Sequence, residues 1–384
     1  MKIDFSTANR IIFGKGEFRK IPDLIKGWGS RAFVIRGNDP SYGKELFDVI
    51  ENLNLEIDFF VVSKEPDVDM LFKAVQLARK SQSDFVIGFG GGSVIDTGKA
   101  VAALLNNEGD LMDYLEVVGK GLPLTNPSKP YIAIPSTAGT GSEVTKNAVI
   151  DVPDQNVKVS MRNAFMLPKI ALVDPELTLD LPPQITASTG MDAFVQVIEP
   201  YVCNTPNPMV DMFCRDAIPR ASRHLLSAYE DGSNIAAREN MAWVSLMGGL
   251  SLANAKLGAV HGFAGPIGGM FHAPHGSICA CLLPAVMRVN IENLEKREPQ
   301  SDYLKRYRKI SCWITGDIDS DINAGTHFIA ELCKKIKIPR LHDMGILEND
   351  FPRIVEKSKN SSSMKGNPIQ LSDEELTRVL ALSY

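Results

Sequence analysis

Nothing in the 384-residue sequence offers the run of about 20 apolar residues that a membrane-spanning helix needs; the longest candidates are broken by Gly, Asp, Lys or Asn. The first residues, MKIDFSTANRIIFGKGEF, do not build a secretion signal, because acidic and polar residues interrupt them before an apolar run forms. No excess of one charge exists either: 41 basic and 46 acidic residues are interspersed, giving a formal net charge of −5. That balance argues against a nucleic-acid-binding surface. Cysteine is sparse and unpatterned, at 203, 214, 279, 281, 312 and 333, with no CxxC pair. Cys279 and Cys281 are separated by one residue, too close for a comfortable disulfide or a usual zinc knuckle. Free thiols in a reducing compartment, hence a cytoplasmic protein, is the plain reading. Internal repeats and a Ser/Gly linker are also missing.

What remains is an ordinary globular composition, 44% hydrophobic and 23% charged, in a chain long enough for two domains. The first part alternates β-rich runs with helical spacing. Ala32–Arg36 reads as a strand, Asn38-Asp39-Pro40 as a turn, and Leu46, Phe47, Ile50 and Leu53 as a helix face. Ile57–Val62 and Phe85–Phe89 are further strands, each followed by a helix, the second over Val94–Leu105. Tyr131–Pro135 and Ile170–Val173 complete the set, with a hairpin between them around Pro153-Asp154. Repeated βα units predict a parallel sheet covered by helices, a Rossmann-like α/β domain. After Pro182-Pro183 the β-rich runs nearly vanish, and helices are expected near 185–200, 207–228, 236–256, 278–291, 301–313 and 321–335. The boundary is placed near residue 180, giving an α/β domain over 1–180 and an all-helical domain over 181–384. Lys359–Ser363 with Gly366-Asn367-Pro368 reads as a surface loop.

Two loops carry ligand-binding chemistry. In Phe85–Lys99 a strand runs into Gly90-Gly91-Gly92 and a helix is expected to start at Ser93, with Asp96 completing a capping box. Glycines let a ligand approach the backbone, and a helix N-terminus offers amides to a pyrophosphate. The pattern is neither GxGxxG nor a Walker loop. Ser136–Glu143 follows the strand Tyr131–Pro135, at the carboxyl edge where open α/β sheets bind ligands. Beyond the first strand, Gly37 leaves room for a 2′-phosphate and Arg36 could pair with it, favouring NADP over NAD; Asp39 could still serve NAD.

The second half brings metal-binding residue types together. Asp192 and Gln196 stand at i and i+4 on one helix face. His261, His272 and His275 fall within one glycine-rich window. One carboxylate and two imidazoles make a plausible divalent-metal set. His224, His327 and His342 read as structural or surface residues.

The segments FGGGSVIDTGK, PSTAGTGSEVT, VDPELTLDLPPQITASTGMDAFVQVIE and GAVHGFAGPIGGMFHAPHG together resemble the iron-containing, or group III, alcohol dehydrogenase family. The likeness runs from about Phe13-Gly14 to about Asn290; later, Asn367-Pro368 is followed by Ile369 where the family often has Arg. The resemblance implies nucleotide contacts at Gly37, Gly91, Gly92, Ser93, Thr137, Thr140, Ser142 and Lys158. It implies a metal, Fe²⁺ or Zn²⁺, on Asp192, His261 and His275, with Gln196 at a position that is usually histidine. Glycerol dehydrogenases, which are related, hold zinc with one Asp and two His. Gly265 stands where many members carry a proton-relay histidine, which leaves His272 as the expected relay. A homodimer is implied, with a hairpin around Asn9–Gly16 as a contact. The expected reaction is hydride transfer between NAD(P) and a small alcohol or aldehyde. A metal-independent reductase of the maleylacetate reductase type, a dehydroquinate-synthase-like lyase, and a degenerate nucleotide-binding protein are the alternatives.

Overall fold

The computed structural model describes residues 3–155 and 157–384. They divide into two compact units, Phe5–Thr137 with Gly141–Thr178, and chiefly Leu179–Tyr384 with Ala138–Thr140.

The first unit holds strands β1 (Ile11–Phe13), β2 (Arg31–Gly37), β3 (Glu56–Val62), β4 (Phe85–Gly90), β5 (Tyr131–Pro135), β6 (Asn147–Val152), β7 (Val157–Arg162) and β8 (Ile170–Val173). Its helices are α1 (Ile21–Leu24), α2 (Pro40–Ile50), α3 (Val68–Lys80), α4 (Gly92–Leu104) and α5 (Leu111–Tyr114). Six strands form one sheet in the order β1-β8-β5-β4-β2-β3, with every pairing parallel. The remaining two form the antiparallel hairpin β6-β7.

Alternation along each strand sends successive residues to opposite faces. Phe33, Ile35, Val86 and Ala133 pack with Leu71, Val75 and Val101 of α3 and α4 on one face. Val34, Phe85, Ile87, Ile132 and Ile134 pack with Phe18, Ile21, Leu46 and Ile50 on the other. Burial on both faces explains why these strands read as unbroken apolar runs. Asp67 fixes the start of α3 by accepting the Met70 N–H at 2.7 Å.

Two expectations are corrected here. Asn9–Gly16 is not a hairpin: β1 runs parallel to β8, with Ile12 opposite Leu172. Its hydrogen-bonding partner is a strand far along the chain, which local turn signals do not report. Nor does Ser93 with Asp96 cap α4. Extended Gly91 is the N-cap, the helix begins at Gly92, and Asp96 turns to Ser142, Lys99 and the Val149 N–H.

The second unit comprises α6 (Pro183–Val202), α7 (Pro208–Glu230), α8 (Ile235–Asn254), α9 (Ala259–Phe271), α10 (His275–Arg297), α11 (Asp302–Thr315), α12 (Ala324–Lys335), α13 (Phe351–Lys359) and α14 (Asp373–Ser383). Helix α10 passes a length-and-composition test for membrane crossing, but 83% of its apolar window is buried inside the protein, so it is a core helix. The surface-loop reading of 366–368 is also corrected. Gly366, Asn367 and Pro368 are buried, and Asn367 joins Asn290 of α10 and the Ala259 N–H through side-chain hydrogen bonds. Ile369, in the place of the family's Arg, is buried too.

Candidate functional site

In the first unit the two glycine-bearing loops leave the carboxyl ends of neighbouring strands. β4 and β5 pair to Gly90 opposite Pro135, and the Ser136 N–H continues the ladder to Gly90 O at 2.9 Å. A Cβ on Gly91 would stand 3.5 Å from Thr137 Cγ2, so the loops are in van der Waals reach. The first hydrogen bonds of α4 run from the Val94 and Ile95 N–H groups to Gly91 O, which leaves the preceding amides of Gly92 and Ser93 as helix-end donors.

Beneath them lies Lys99, whose side chain is fully buried. Its ammonium reaches Asp96 at 2.9 Å, Ser142 O at 3.0 Å, Thr145 Oγ1 at 2.9 Å and Asn147 O. Ser142 Oγ also donates to Asp96. One lysine thus ties α4, the Ser136–Glu143 loop and the β6-β7 hairpin together. Burial lowers its pKa, and Asp96 opposes that shift.

Glu143 is buried nearby. Burial pushes its carboxyl up to about 7, with its own backbone amide and Lys99 pulling the other way. An unfolded chain ionises this group near 4.5. The stability that its neutral form supports is therefore complete below that pH and is lost as pH climbs through about 7. Glu143→Gln is expected to raise the Tm near pH 8 and to change it little near pH 5, with a gain on the order of 3 kcal/mol at most. Calorimetry at the two pH values checks this, and equal shifts at both would contradict it.

The second unit holds a denser cluster. Asp192 and Gln196 lie on one face of α6 and are both buried. His261 sits in α9, and His275 opens α10. His261 Nε2 stands 3.5 Å from Asp192 Oδ1, and His275 Nε2 3.8 Å from the same oxygen. Cys279 follows one turn after His275, with Sγ 3.6 Å from His275 Nε2. One ligand atom from each of Asp192, His261, His275 and Cys279 lies within 4.8 Å of the others. Close helix approach makes this possible: a Cβ on Gly276 would fall 2.3 Å from Ser188 O of α6.

Glu199, two turns beyond Asp192, supports the set from behind. It accepts from His261 Nδ1 at 2.6 Å and from the Val260 N–H at 2.7 Å. In the neutral ring that bond places the Nδ1 proton toward Glu199 and leaves Nε2, which faces Asp192, as the lone-pair donor to a metal. Gly258 makes room, since a Cβ there would meet Glu199 Oε1 at 2.8 Å. Burial opposes charging His261, but Asp192 and Glu199 outweigh it and raise its pKa to about 9. Burial likewise opposes ionising Asp192, yet His261 and His275 hold its carboxyl below the ordinary range.

Asp192 Oδ1, Gln196 Oε1 and His261 Nε2 are buried with no hydrogen-bond partner. Orphaned groups of this kind are costly in a folded protein, and a divalent cation would satisfy Asp192 Oδ1 and the lone pair of His261 Nε2. The donor set fits a metal.

A family model described as iron-containing alcohol dehydrogenase matches residues 8–175, and the C-terminal model of the same family matches 186–384. The chain belongs to the iron-containing alcohol dehydrogenases. The 1,3-propanediol dehydrogenase of Citrobacter freundii is 36% identical over 316 residues, covering 81% of this chain and 78% of that protein. The NADPH-dependent butanol dehydrogenase of Clostridium saccharobutylicum is 30% identical over 393 residues, covering 99% and 97%. Among solved structures, a 1,3-propanediol oxidoreductase matches with a TM-score of 0.91 at 29% identity over the whole of both chains. A sulfoacetaldehyde reductase from Bifidobacterium kashiwanohense, in complex with NAD⁺, matches with a TM-score of 0.88 at 28% identity, covering 100% of this chain and 99% of that one. The protein is an oxidoreductase acting on CH–OH groups, as the sequence implies.

Other positions that the family resemblance singles out are more scattered. Lys158 lies on β7 and pairs with Glu65. Gly37 ends β2, where a Cβ would meet nothing within 4 Å. The Arg36 guanidinium lies over the Phe59 ring at 5.3 Å and donates to Gly37 O at 3.0 Å, while its Nε is buried without a partner. Thr137 and Thr140 are half-buried in their loop. His272 ends α9 in the left-handed conformation, φ 53°, and is exposed; it is outside the four-residue cluster. A Cβ on Gly265 would meet nothing within 4 Å, so the space of the usual histidine is open. Sequence reasoning missed Glu199, Lys99 and Cys279. The first could have been found as the i+7 partner of Asp192, and the last as the i+4 partner of His275.

Proposed function

We propose that this chain interconverts small aldehydes and alcohols in the cytoplasm, with NADP(H) preferred over NAD(H) and a divalent metal held by Asp192, His261 and His275. The observation that carries it is the convergence of orphaned buried acceptors on this cluster. Bound to the protein, the nucleotide supplies the hydride and the metal a Lewis acid for the substrate oxygen. The protein's residues do the rest. The amides of Gly92 and Ser93 face the pyrophosphate, with Gly91, Thr137, Thr140, Ser142 and Lys158 around the remainder of the nucleotide. Glu199 holds the His261 ring in the tautomer that presents Nε2. His272, exposed at the end of α9, passes the proton to solvent. All six cysteines are free, the state of a reducing compartment.

Support for the phosphate preference comes from open Gly37 and from Arg36, which has an unpartnered Nε at the end of β2. Turnover of short aldehydes and diols with each nucleotide, before and after chelation, tests the reading. The expected result is chelator-sensitive activity with kcat/KM higher for NADPH than for NADH. Arg36→Ala should lower that ratio about 10-fold or more, the worth of a charge-assisted hydrogen bond. Full activity after complete metal removal would sink the metal half, and an unchanged ratio in Arg36→Ala the phosphate half.

A further inference from the structure

The metal cluster contains a donor that neither the family pattern nor the reading above assigns. Cys279 lies one helical turn from His275 and is buried, as Asp192 and His261 are. Gln196, which occupies the usual histidine position, lies one turn from Asp192 on α6 and adds to the influences, led by His261 and His275, that keep that carboxyl ionised against its burial. The Cys279 thiol faces the imidazole of His275 at 3.6 Å.

The separations have the size that a shared centre requires. Nitrogen, oxygen and sulfur ligands placed about 2.0–2.3 Å from a tetrahedral ion stand roughly 3.3–3.6 Å from one another. Observed edges are 3.5 Å for His261 to Asp192, 3.6 Å for Cys279 to His275 and 3.8 Å for His275 to Asp192. Small side-chain adjustments bring all four onto one ion. We propose that Cys279 is the fourth protein ligand, joining Asp192, His261 and His275 on an ion that expands its coordination to take the substrate oxygen, with Gln196 positioning Asp192 from outside. This rests on the metal reading above and deepens it.

Two consequences follow from the sulfur. Asp192 and a Cys279 thiolate together balance the charge of a divalent ion between two neutral imidazoles. A coordinated thiol gives up its proton to the medium when the metal enters, so loading releases protons. A soft thiolate also turns the choice between the two candidate metals toward zinc, where imidazole suits either.

X-ray absorption at the zinc edge of the zinc-loaded protein tests the proposal. The expected spectrum has one sulfur scatterer at about 2.3 Å together with nitrogen and oxygen near 2.0–2.1 Å. The sulfur shell should vanish in Cys279→Ser and persist in Gln196→Ala. Zinc affinity of Cys279→Ser should fall roughly 100-fold or more, at or beyond the upper end of the 10–100-fold typical of an outer partner. Stoichiometric zinc with nitrogen and oxygen scatterers only would overturn the Cys279 assignment and leave the metal site standing. Failure of the wild-type protein to bind zinc, cobalt or iron at all would overturn the site itself. The wild-type spectrum decides even if Cys279→Ser does not fold.

Discussion

Asp192→Asn is expected to yield a folded protein that has lost its metal and its turnover together. Asn keeps the size of Asp but removes the charge, and Asp192 Oδ1 stands 3.5 Å from His261 Nε2 and 3.8 Å from His275 Nε2. Metal affinity should fall by more than roughly 100-fold, beyond the loss seen for outer partners of a site. The fold should survive, because a buried amide asks less of its surroundings than a buried carboxylate. Metal analysis after gel filtration, circular dichroism and turnover with both nucleotides read this out. Stoichiometric metal and full activity in the variant would remove Asp192 from the site.

The other large effect lies in the nucleotide-binding unit. Lys99→Met is expected to destabilise that unit by about 3–5 kcal/mol, the cost of stripping one partner from a buried ion pair. Asp96 would stay largely buried, with Ser142 Oγ and the Val149 N–H but no counter-charge, and two carbonyls would lose their donor. For a domain of this size the Tm should drop on the order of 10 °C. Since the same ammonium ties the Ser136–Glu143 loop to α4, KM for the nucleotide should rise as well. Thermal denaturation measures the first effect, and steady-state kinetics at varied nucleotide concentration the second. A Tm within about 1 °C of the parent would show that Lys99 is replaceable.

The parallel sheet was legible because β2, β4 and β5 are buried on both faces and so appear as apolar runs between turn signals. Asp192, His261 and His275 were legible because their residue types are rare in apolar text and stand in a spacing that the family resemblance recognises. Helix α9 was not. Its span carries Gly262, Gly265, Gly268, Gly269 and Pro266, all poor helix formers. Packing against α10 and α13 overrides that propensity. Lys99 was invisible for the opposite reason, since a lysine in a helix reads as solvated until its four partners are found. Cys279 belonged to a set of six thiols with no pattern, and only the fold singles it out.

Asn367 braces the metal cluster without belonging to it. Its side chain holds the Ala259 N–H at the entrance to α9, two residues before His261, and grips Asn290 on α10. Both helices that carry the proposed imidazole ligands are thus fastened by one residue that belongs to neither. A backbone cut between α10 and Asn367 would keep every proposed ligand while losing the brace that sets them.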